Sequence, residues 1–489
     1  MKEQTGSLAR EAGSAMRWNA VAAGATLLSQ LLQLVVLARW LSPAEFGLAS
    51  TAISIAGFAQ GLTDLGLTNA LVQRVQIGEK AWASALWACV LGGLVLFVGL
   101  TAVSSGFEHL LHLQGLVPLL CVAALTLPFA GPGLVFQADL QRRLSFKRLA
   151  SAEILAALAS LTVALGWGLW RREAMALVAG QVALLAVRCG MLGVFSSLRP
   201  FPRLSWDDLR PLATFGTYQM GERVLNYASG NLDRLLVARL LGASAAGYYT
   251  VASQIALRPL ALLGPFVFRT LFPLFARLQE EKERLASSLL RSLSLLAFLS
   301  AGLYALLFGL AGSLCRIVLG EGWAPAVPVL WILTGLGFLW AVSNPLASLT
   351  LALGRAGTGF WINVLTLAMN TAAVLIGSSH GLRGVAWGMV ISVALTMPLD
   401  LYLARKWIGV PPLRMTLAMG WALPFAAASA LVMQLFSKWD LDLNRWTELV
   451  VKALIGVVVF AASSWLLQQK RVREAVLEIV AKLPGRQPG

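Results

Sequence analysis

Charged and polar residues cluster in one segment of a chain that is otherwise strongly apolar. If residues 211–237 form a helix, these residues occupy two adjacent stripes: Glu222, Asn226, Ser229 and Asp233 on one, and Arg223, Tyr227 and Arg234 on the other. A carboxylate or guanidinium near the centre of a bilayer costs at least about 3 kcal/mol. We therefore expect this surface to face water or charged partners rather than lipid.

The first long apolar segment carries a weaker version of the same pattern. Asn19, Thr26, Gln30 and Gln33 share one stripe of a helix over residues 17–37. Amide side chains both donate and accept hydrogen bonds, so this stripe can line a water-filled space. We predict two polar walls, one from each half of the chain, that together enclose a water-filled cavity.

Other apolar segments contain further charges: Asp64, Arg188, Arg258, Arg269 and Arg291. The excess of arginine favours an anionic substrate, because the planar guanidinium donates two hydrogen bonds to a phosphate at once. The predicted phosphate-binding residues are Arg188, Arg223, Arg234 and Arg258. The predicted sites for a coupling ion, proton or sodium, are Asp64, Glu222 and Asp233.

A structural interpretation of these charges stays open. Glu222, Arg223, Asp233 and Arg234 would then neutralise one another as buried ion pairs. Arginines near the cytoplasmic surface, such as Arg269, would extend their side chains to lipid headgroups.

The elements that position these residues follow from composition. Of 489 residues, 58% are hydrophobic and 13% charged, which is more apolar surface than one soluble core can bury. Apolar runs of about 20 residues, enough for a helix to cross a bilayer, recur about 14 times and lack the alternation of a barrel wall. The sequence therefore predicts an all-α integral membrane protein with about 14 transmembrane helices.

Two stretches of sequence resemble each other at a constant offset of 200 residues: Ala38-Arg39 precedes Gly47 as Ala238-Arg239 precedes Gly247. This predicts two six-helix bundles that run in the same direction, followed by two C-terminal helices. The predicted domains are an N-lobe at 1–198, a cytoplasmic linker at 199–210, a C-lobe at 211–406, two further helices at 407–468 and a basic cytoplasmic tail at 469–489.

The formal net charge of +16 is mostly an orientation signal. Lys and Arg concentrate in both ends of the chain and in alternate connections between the predicted helices, which places both termini in the cytoplasm. A nucleic-acid partner is disfavoured, because the basic residues are scattered over short loops. The first apolar run is too long for the core of a signal peptide, so we expect an uncleaved first helix.

The sequence lacks the residue patterns typical of catalytic, metal and cofactor sites. The cysteines, Cys89, Cys121, Cys189 and Cys315, are far apart in apolar surroundings and are typical of packing residues. His109 and His112 could share a helical face, but no carboxylate or thiolate cluster completes a metal site. Phosphate-cradling loops, nucleophile elbows and zinc-protease pairs are also missing from the sequence. We therefore predict no enzyme activity, no cofactor and no metal.

Several short motifs occur together along most of the chain: Ala38-Arg39-Trp40-Leu41-Ser42-Pro43, Gly66-Leu67, Gln141-Arg142-Arg143-Leu144-Ser145-Phe146, Glu222-Arg223-Val224-Leu225-Asn226-Tyr227, Asn231-Leu232-Asp233, Gly247-Tyr248-Tyr249 and Gly320-Glu321-Gly322-Trp323. In this combination the chain resembles the Wzx-like polysaccharide and O-antigen flippases. Their superfamily, named MOP, also contains the MATE multidrug transporters and the lipid II flippase.

The resemblance implies a MATE-like fold in the bacterial inner membrane and a cargo of undecaprenyl-diphosphate-linked oligosaccharide. The protein would move this cargo to the outer leaflet by ion-coupled alternating access, for exopolysaccharide, capsule or O-antigen synthesis. Its implied partners are the lipid-linked oligosaccharide, membrane lipids, a polysaccharide polymerase, and chain-length and export proteins. Beside the arginines, the implied substrate contacts are Asn226, Tyr227, Asn231, Gln30 and Gln33.

Three other functions are alternatives to a polysaccharide flippase. A multidrug or cation antiporter should present an acidic, aromatic cavity, whereas the intramembrane charges here favour arginine. A lipid II flippase would share the architecture and the anionic cargo. A membrane glycosyltransferase needs catalytic groups on a large external loop, and the predicted external connections are short.

Overall fold

The computed structural model describes residues 2–481 apart from 65, 69–70, 72–77, 199–203, 438 and 440–443. Within helices, it leaves the side chains of 2–16, 206, 208, 211–223, 226, 262–263, 265–269 and 467–481 undescribed. Three predicted site residues, Glu222, Arg223 and Asn226, therefore lie outside the described side chains.

The chain divides into two compact units, residues 1–247 and 248–489. The described helices of the first unit are α1 (Lys2–Trp40), α2 (Pro43–Thr63), α3 (Glu79–Ala102), α4 (Ser104–Leu111), α5 (Leu116–Ala124), α6 (Leu127–Arg142), α7 (Phe146–Trp170), α8 (Met175–Phe195) and α9 (Trp206–Leu241). A further helix, α10 (Ala243–Arg277), begins in the first unit and continues into the second.

Small residues allow the helices of the first unit to approach closely. α7 packs along α8 and α1, and α6 contacts both α3 and α8. The α7 surface contributes Ala152, Ala156 and Ala164, all buried. In a bilayer the surrounding lipid is as apolar as the side chains, so close packing of backbones supplies much of the association energy. The same packing places α9 against α2, which builds one side of the site described below.

The start of α2 shows how local sequence defines an element. The backbone N–H of Ser42 donates to the Glu45 carboxylate at 2.8 Å, and the N–H of Glu45 donates to the Ser42 hydroxyl oxygen at 3.3 Å. Pro43 occupies the first helical turn, where its missing N–H costs nothing. This reciprocal capping box explains why the Ser-Pro-Ala-Glu stretch ends one helix and begins another.

The two glycines that mark the sequence repeat meet in the structure. A Cβ atom added at Gly47 would overlap the carbonyl oxygen of Ala243, and one added at Gly247 would overlap the carbonyl oxygen of Pro43. Because residues 43 and 47 correspond to 243 and 247 at the repeat offset, the contact is reciprocal, as across a two-fold axis. Only glycine permits the first turns of α2 and α10 to approach this closely.

The second unit continues α10 and is helical over its other described elements. They are α11 (Lys282–Ser313), a π-helix (Leu314–Leu319), a 3₁₀ helix (Glu321–Ala326), α12 (Val327–Ala352), α13 (Ala356–Gly377), a 3₁₀ turn (Ser378–His380), α14 (Gly381–Ile408), α15 (Pro412–Gly420), α16 (Leu423–Phe436) and α17 (Arg445–Ala481).

The core of the second unit is organised around α11. Its leucines, including Leu285, Leu289 and Leu293, are fully buried in a cluster with residues of α12, α14, α15 and α16. Phe298 of α11 stacks on Trp421, with ring centroids 5.7 Å apart. α17 packs against both α11 and α16, so the helices at the C-terminal end are integrated into this unit.

Eleven helical stretches among the described residues are long and apolar enough to cross a membrane. One of them, Ala356–Ile408, comprises both α13 and α14. The helices α9 and α10, whose side chains are described only in part, are not among the eleven. The predicted all-α, multi-pass membrane fold is confirmed, whereas the count of about 14 helices and the predicted domain boundaries stay predictions.

Candidate functional site

A cavity of about 420 Å³ lies within the first unit. Four helices, α2, α6, α8 and α9, supply its walls, and the lining residues are Gly57, Gln60, Gly61, Phe129, Ala130, Gly133, Leu134, Leu185, Arg188, Cys189 and Tyr227. The volume is in the range of small-molecule sites, and a mostly apolar lining with a few polar groups is typical of them. The cavity is therefore the best candidate site among the described residues.

Glycines on α2 and α6 make room for the cavity. The Tyr227 hydroxyl occupies the position that a Cβ atom of residue 57 would take, so glycine at this position lets the Tyr227 side chain lie directly against α2. The Tyr227 ring contacts Phe58 edge-on, with centroids 4.9 Å apart. This contact orients the tyrosine, whose hydroxyl can both donate and accept hydrogen bonds.

Arg188 of α8 is the charged residue among those that line the cavity. Its Nη2 atom donates to Gln137 Oε1 at 3.0 Å and lies 3.5 Å from Glu153 Oε1. The side chain is 32% exposed and that of Glu153 41% exposed. The buried Nε–H of Arg188 makes no hydrogen bond to the described part of the chain. The guanidinium is therefore held in place while part of its donor capacity remains unused.

Gln60 adds an amide to the cavity wall. Its Nε2 atom donates to the Thr126 hydroxyl at 2.9 Å. Thr126 in turn donates to the carbonyl oxygen of Ala123 at 2.7 Å, at the junction between α5 and α6. This chain of bonds uses the Gln60 side-chain amide as a donor and leaves its Oε1 atom as an acceptor for a sugar hydroxyl or another polar ligand.

The described part of the α9 stripe continues away from the cavity. Asn231 donates to the carbonyl oxygen of Tyr227 at 3.0 Å, and Arg234 Nη1 donates to Asn231 Oδ1 at 3.4 Å. Both side chains are half-buried, as is that of Asp233. Of this group only Tyr227 lines the cavity.

Asp64, Gln30 and Gln33 do not line the cavity. Asp64 is fully buried at the end of α2, where it accepts a bond from the Thr68 N–H at 3.0 Å and another from the Thr68 hydroxyl. Gln33 accepts from the Ser160 hydroxyl at 3.4 Å and thereby joins α1 to α7. Gln30 is exposed.

Arg258 belongs to the part of α10 in the second unit, where its side chain is half-buried. The roles predicted for it, and for every other residue of the predicted site, stay predictions. So does the chamber expected between two bundles.

Three residues at or beside the cavity, Glu153, Gln137 and Gln60, are not among the site residues predicted from the sequence. Glu153 lies in α7, one of the apolar stretches that can cross a membrane. It thus carries the same signal that singled out Arg188, a charge inside an apolar run. Gln137 and Gln60 carry no such signal, because neutral amides are common in helices and only the packing of α2, α6 and α8 brings them to one site.

These features define a multi-pass helical membrane protein with an internal site that combines one arginine, polar amides and an aromatic wall. Residues 36–328 match the family model described as polysaccharide biosynthesis protein. The chain belongs to this family.

Curated relatives agree with that assignment. Lipopolysaccharide biosynthesis protein WzxC of Escherichia coli is 30% identical over 403 residues, which cover 82% of each chain. Teichuronic acid biosynthesis protein TuaB of Bacillus subtilis is 28% identical over 78% of this chain and 80% of its own. Succinoglycan biosynthesis transport protein ExoT of Rhizobium meliloti is 28% identical over 74% of each.

Solved structures share the fold. The lipid II flippase MurJ, in an inward closed conformation, matches with a TM-score of 0.73 at 13% identity, over 94% of this chain and all of its own. An inward-facing multidrug resistance MATE family transporter matches with a TM-score of 0.58 at 14% identity, over 78% of this chain and 94% of its own. The predicted MATE-like fold is therefore confirmed.

Proposed function

We propose that this protein is a flippase for polysaccharide biosynthesis. It moves an undecaprenyl-diphosphate-linked oligosaccharide from the cytoplasmic to the outer leaflet of the bacterial inner membrane by ion-coupled alternating access. Both termini are cytoplasmic in this proposal. A polymerase with chain-length and export proteins then builds exopolysaccharide, capsule or O-antigen from the cargo.

Family membership supports the general role. The relatives are named for the biosynthesis of lipopolysaccharide, teichuronic acid and succinoglycan, and ExoT is named as a transport protein. These polymers differ, while the relatives match most of the chain at similar identity. A common step, the passage of a lipid-linked building block across the membrane, accounts for the shared sequence better than a step specific to one sugar.

Arg188 is the observation that carries the proposal. A guanidinium at an intramembrane cavity, with an unsatisfied N–H, favours an anionic ligand, because the surrounding dielectric is low and the lost solvation must be replaced. A phosphate oxygen can accept from the exposed part of the guanidinium, whose fork geometry suits phosphate in particular. The described lining offers no carboxylate to organic cations, the cargo expected of a multidrug antiporter.

Neutral groups around Arg188 suit the sugars next to the diphosphate. The Gln60 side-chain oxygen Oε1 and the Tyr227 hydroxyl offer hydrogen-bonding groups, and the Phe129 ring offers an apolar face. The cavity of about 420 Å³ accommodates the charged group and part of the adjoining glycan. The polyprenyl chain stays in the bilayer, where its apolar surface costs nothing.

We propose that ion coupling acts on the return of the empty carrier. An inside-negative membrane potential favours outward movement of an anion by about 2.3 kcal/mol per elementary charge per 100 mV, so it assists the loaded step and does not reset the carrier. A cation that binds a carboxylate and enters with the empty carrier would drive that return, and Asp64, Glu222 and Asp233 are the proposed coupling sites. Burial of Asp64 agrees with a carboxylate that exchanges its ion only when the helices around it rearrange.

A reconstituted transport assay tests the proposal. Proteoliposomes with purified protein and a labelled lipid-linked oligosaccharide should show movement of the headgroup to the opposite leaflet, detected with a membrane-impermeant reagent. Arg188→Gln should reduce this movement at least about tenfold, since charge-assisted hydrogen bonds to phosphate are lost. The matched control is Arg171→Gln, which removes an exposed arginine paired with Glu173.

Deletion of the gene provides a second test. Cells should accumulate untranslocated lipid-linked repeat units on the cytoplasmic side. Transport of organic cations in place of the lipid-linked sugar would contradict the proposal. So would rescue of a strain depleted of its lipid II flippase without any transport of the oligosaccharide.

A further inference from the structure

Arg188 already has an anionic neighbour inside the protein. Glu153 of α7 approaches the guanidinium at 3.5 Å, a longer distance than the 3.0 Å bond from Arg188 to Gln137. Both members of the ion pair are partly exposed, and such pairs contribute little to stability, so the carboxylate can be exchanged at small cost. The ion pair is therefore accessible and loosely made.

We propose that Glu153 is a resident competitor for the substrate's phosphate at Arg188. Without substrate, Glu153 neutralises the guanidinium. When the lipid diphosphate arrives, a phosphate oxygen takes the place of the Glu153 carboxylate, and the carboxylate returns when the substrate leaves. This inference rests on the proposed function, and it assigns to that site a residue that sets substrate affinity.

The two hydrogen-bond partners of Arg188 differ in charge and in distance. Gln137 is neutral and makes the shorter bond, so it can hold the guanidinium in one orientation whether or not an anion is bound. Glu153 is negative, so it and a phosphate repel each other and cannot both remain close to the same cation. The Glu153 carboxylate can therefore give way to a phosphate while Gln137 stays bonded to Arg188. This exchange needs no rearrangement of the helices.

A carrier gains from such competition because it must also release its cargo. Tight binding of a doubly charged headgroup to an unopposed guanidinium in a low-dielectric cavity would slow release into the outer leaflet. A carboxylate within reach weakens the bound state and restores charge neutrality as the substrate departs. We therefore expect the removal of Glu153 to tighten binding and to slow turnover.

Binding of undecaprenyl diphosphate to the full-length protein in nanodiscs tests the inference. Glu153→Gln should lower the dissociation constant about tenfold, since one competing charge is removed. Arg188→Gln should raise it about tenfold or more. In the double variant the Glu153 substitution should have no further effect, because Glu153 acts only through Arg188. Glu173→Gln, at the exposed pair with Arg171, is the matched control and should leave affinity unchanged.

A second variant changes affinity in the opposite direction. Gln137→Glu places another carboxylate beside the same guanidinium and should weaken binding, which a merely structural role for this position would not predict. Transport assays on Glu153→Gln should show slower turnover at saturating substrate despite the tighter binding. Thermal unfolding of each variant establishes that it is folded.

The possible outcomes separate the two proposals. If wild type binds the diphosphate lipid, Arg188→Gln weakens binding and Glu153→Gln leaves it unchanged or weakens it, this inference is overturned while the proposed function stands. If Gln137→Glu strengthens binding, the inference is likewise overturned. If wild type binds no diphosphate lipid, both the proposed function and the inference are overturned.

Discussion

Two ion pairs within the helical segments show how differently the protein uses the same chemistry. Arg188 faces a cavity in the first unit, its side chain is 32% exposed, and its Glu153 partner is at 3.5 Å. Lys452 of the second unit is 4% exposed, pairs with Glu448 one turn earlier in α17, and donates to the Ser313 hydroxyl at 3.2 Å. The first pair leaves a buried Arg188 N–H without a hydrogen bond to the residues that the structure describes, whereas the second encloses the Lys452 ammonium group. Both pairs are charged, so charge alone does not distinguish a binding site from a structural contact. The exposure of the charged side chains and their unused hydrogen-bond donors make that distinction.

The surroundings of Lys452 explain its structural role. Ser313 ends α11 immediately before the π-helix Leu314–Leu319, where the regular hydrogen-bond pattern changes. A second ion pair, Arg445 with Glu321 at 3.5 Å, joins the start of α17 to the following 3₁₀ helix. The buried wall of this region includes Trp323, whose ring contacts Tyr248 edge-on. Lys452 therefore helps α17 to hold an irregular segment in place.

The comparison predicts its largest effect for Glu448→Gln. This change leaves the ammonium group of Lys452 buried without its carboxylate, and we expect the free energy of unfolding to fall by about 3 kcal/mol. Glu153→Gln makes the same chemical change at the partly exposed pair and should cost less than about 1 kcal/mol. Chemical unfolding of both variants in detergent micelles measures the difference.

A double substitution sharpens this first prediction. Lys452→Met with Glu448→Leu removes both charges and should recover most of the lost stability, because no uncompensated charge stays buried. Equal destabilisation by Glu448→Gln and Glu153→Gln would refute the distinction between the two pairs.

The next largest effect is expected for Arg188→Gln on transport. The rate of movement of the lipid-linked oligosaccharide should fall at least about tenfold, while the unfolding midpoint stays close to that of wild type. Lys452→Gln should show the reverse pattern, a lower midpoint with unchanged affinity of the folded fraction. A large loss of stability in Arg188→Gln would place this arginine with the structural pairs.

A smaller effect is expected for Gly57→Ala, which tests whether Arg188 acts through the cavity. The added methyl group would overlap the Tyr227 hydroxyl and push the ring from its position in the cavity wall. We expect transport to fall about fivefold, as for a moderately overpacked site. Gly359→Ala, in α13 and outside the cavity lining, is the control, since its methyl group would lie 3.7 Å from the nearest Thr350 carbon, an ordinary contact. Equal rates for the two variants would argue against the cavity as the site.

The smallest predicted effect concerns ionic strength. Added salt screens accessible charges more than buried ones, so the affinity for inorganic pyrophosphate at Arg188 should fall about twofold between about 0.05 and 0.15 M salt. The stability difference between wild type and Glu448→Gln should stay constant over the same range. Calorimetric titration and unfolding curves give the two values, and a salt-dependent stability difference would show that the Lys452 pair is open to solvent.

Local sequence was sufficient for much of the architecture. The length of the apolar runs predicted a helical membrane protein, and the Ser42-Pro43-Ala44-Glu45 stretch corresponds to the observed capping box. Arg188 could be selected because a cation within an apolar run is rare without a purpose. The Lys452 pair could have been selected by the same rule, since Glu448 is four residues away on the same helix.

The cavity could not be derived in this way. Glu153 and Arg188 lie 35 residues apart on different helices, and they meet only because α7 packs along α8. Gln33, predicted to contact sugar, accepts a hydrogen bond from Ser160 between α1 and α7, a contact that its place on the α1 stripe does not reveal. Helical periodicity identifies which residues share a stripe, but the neighbour of that stripe depends on the rotation and axial position of each helix.

The amino-acid sequence by itself determined that this protein is a helical membrane protein with an internal repeat, because run length, capping and glycine positions are local or periodic properties. Tertiary structure alone decided that Gly47 meets residue 243 and Gly247 meets residue 43, and that Arg188 is shared between Gln137 and Glu153. The physical reason is that such contacts depend on how closely two backbones approach, and this distance is set by the packing of every small residue along both helices.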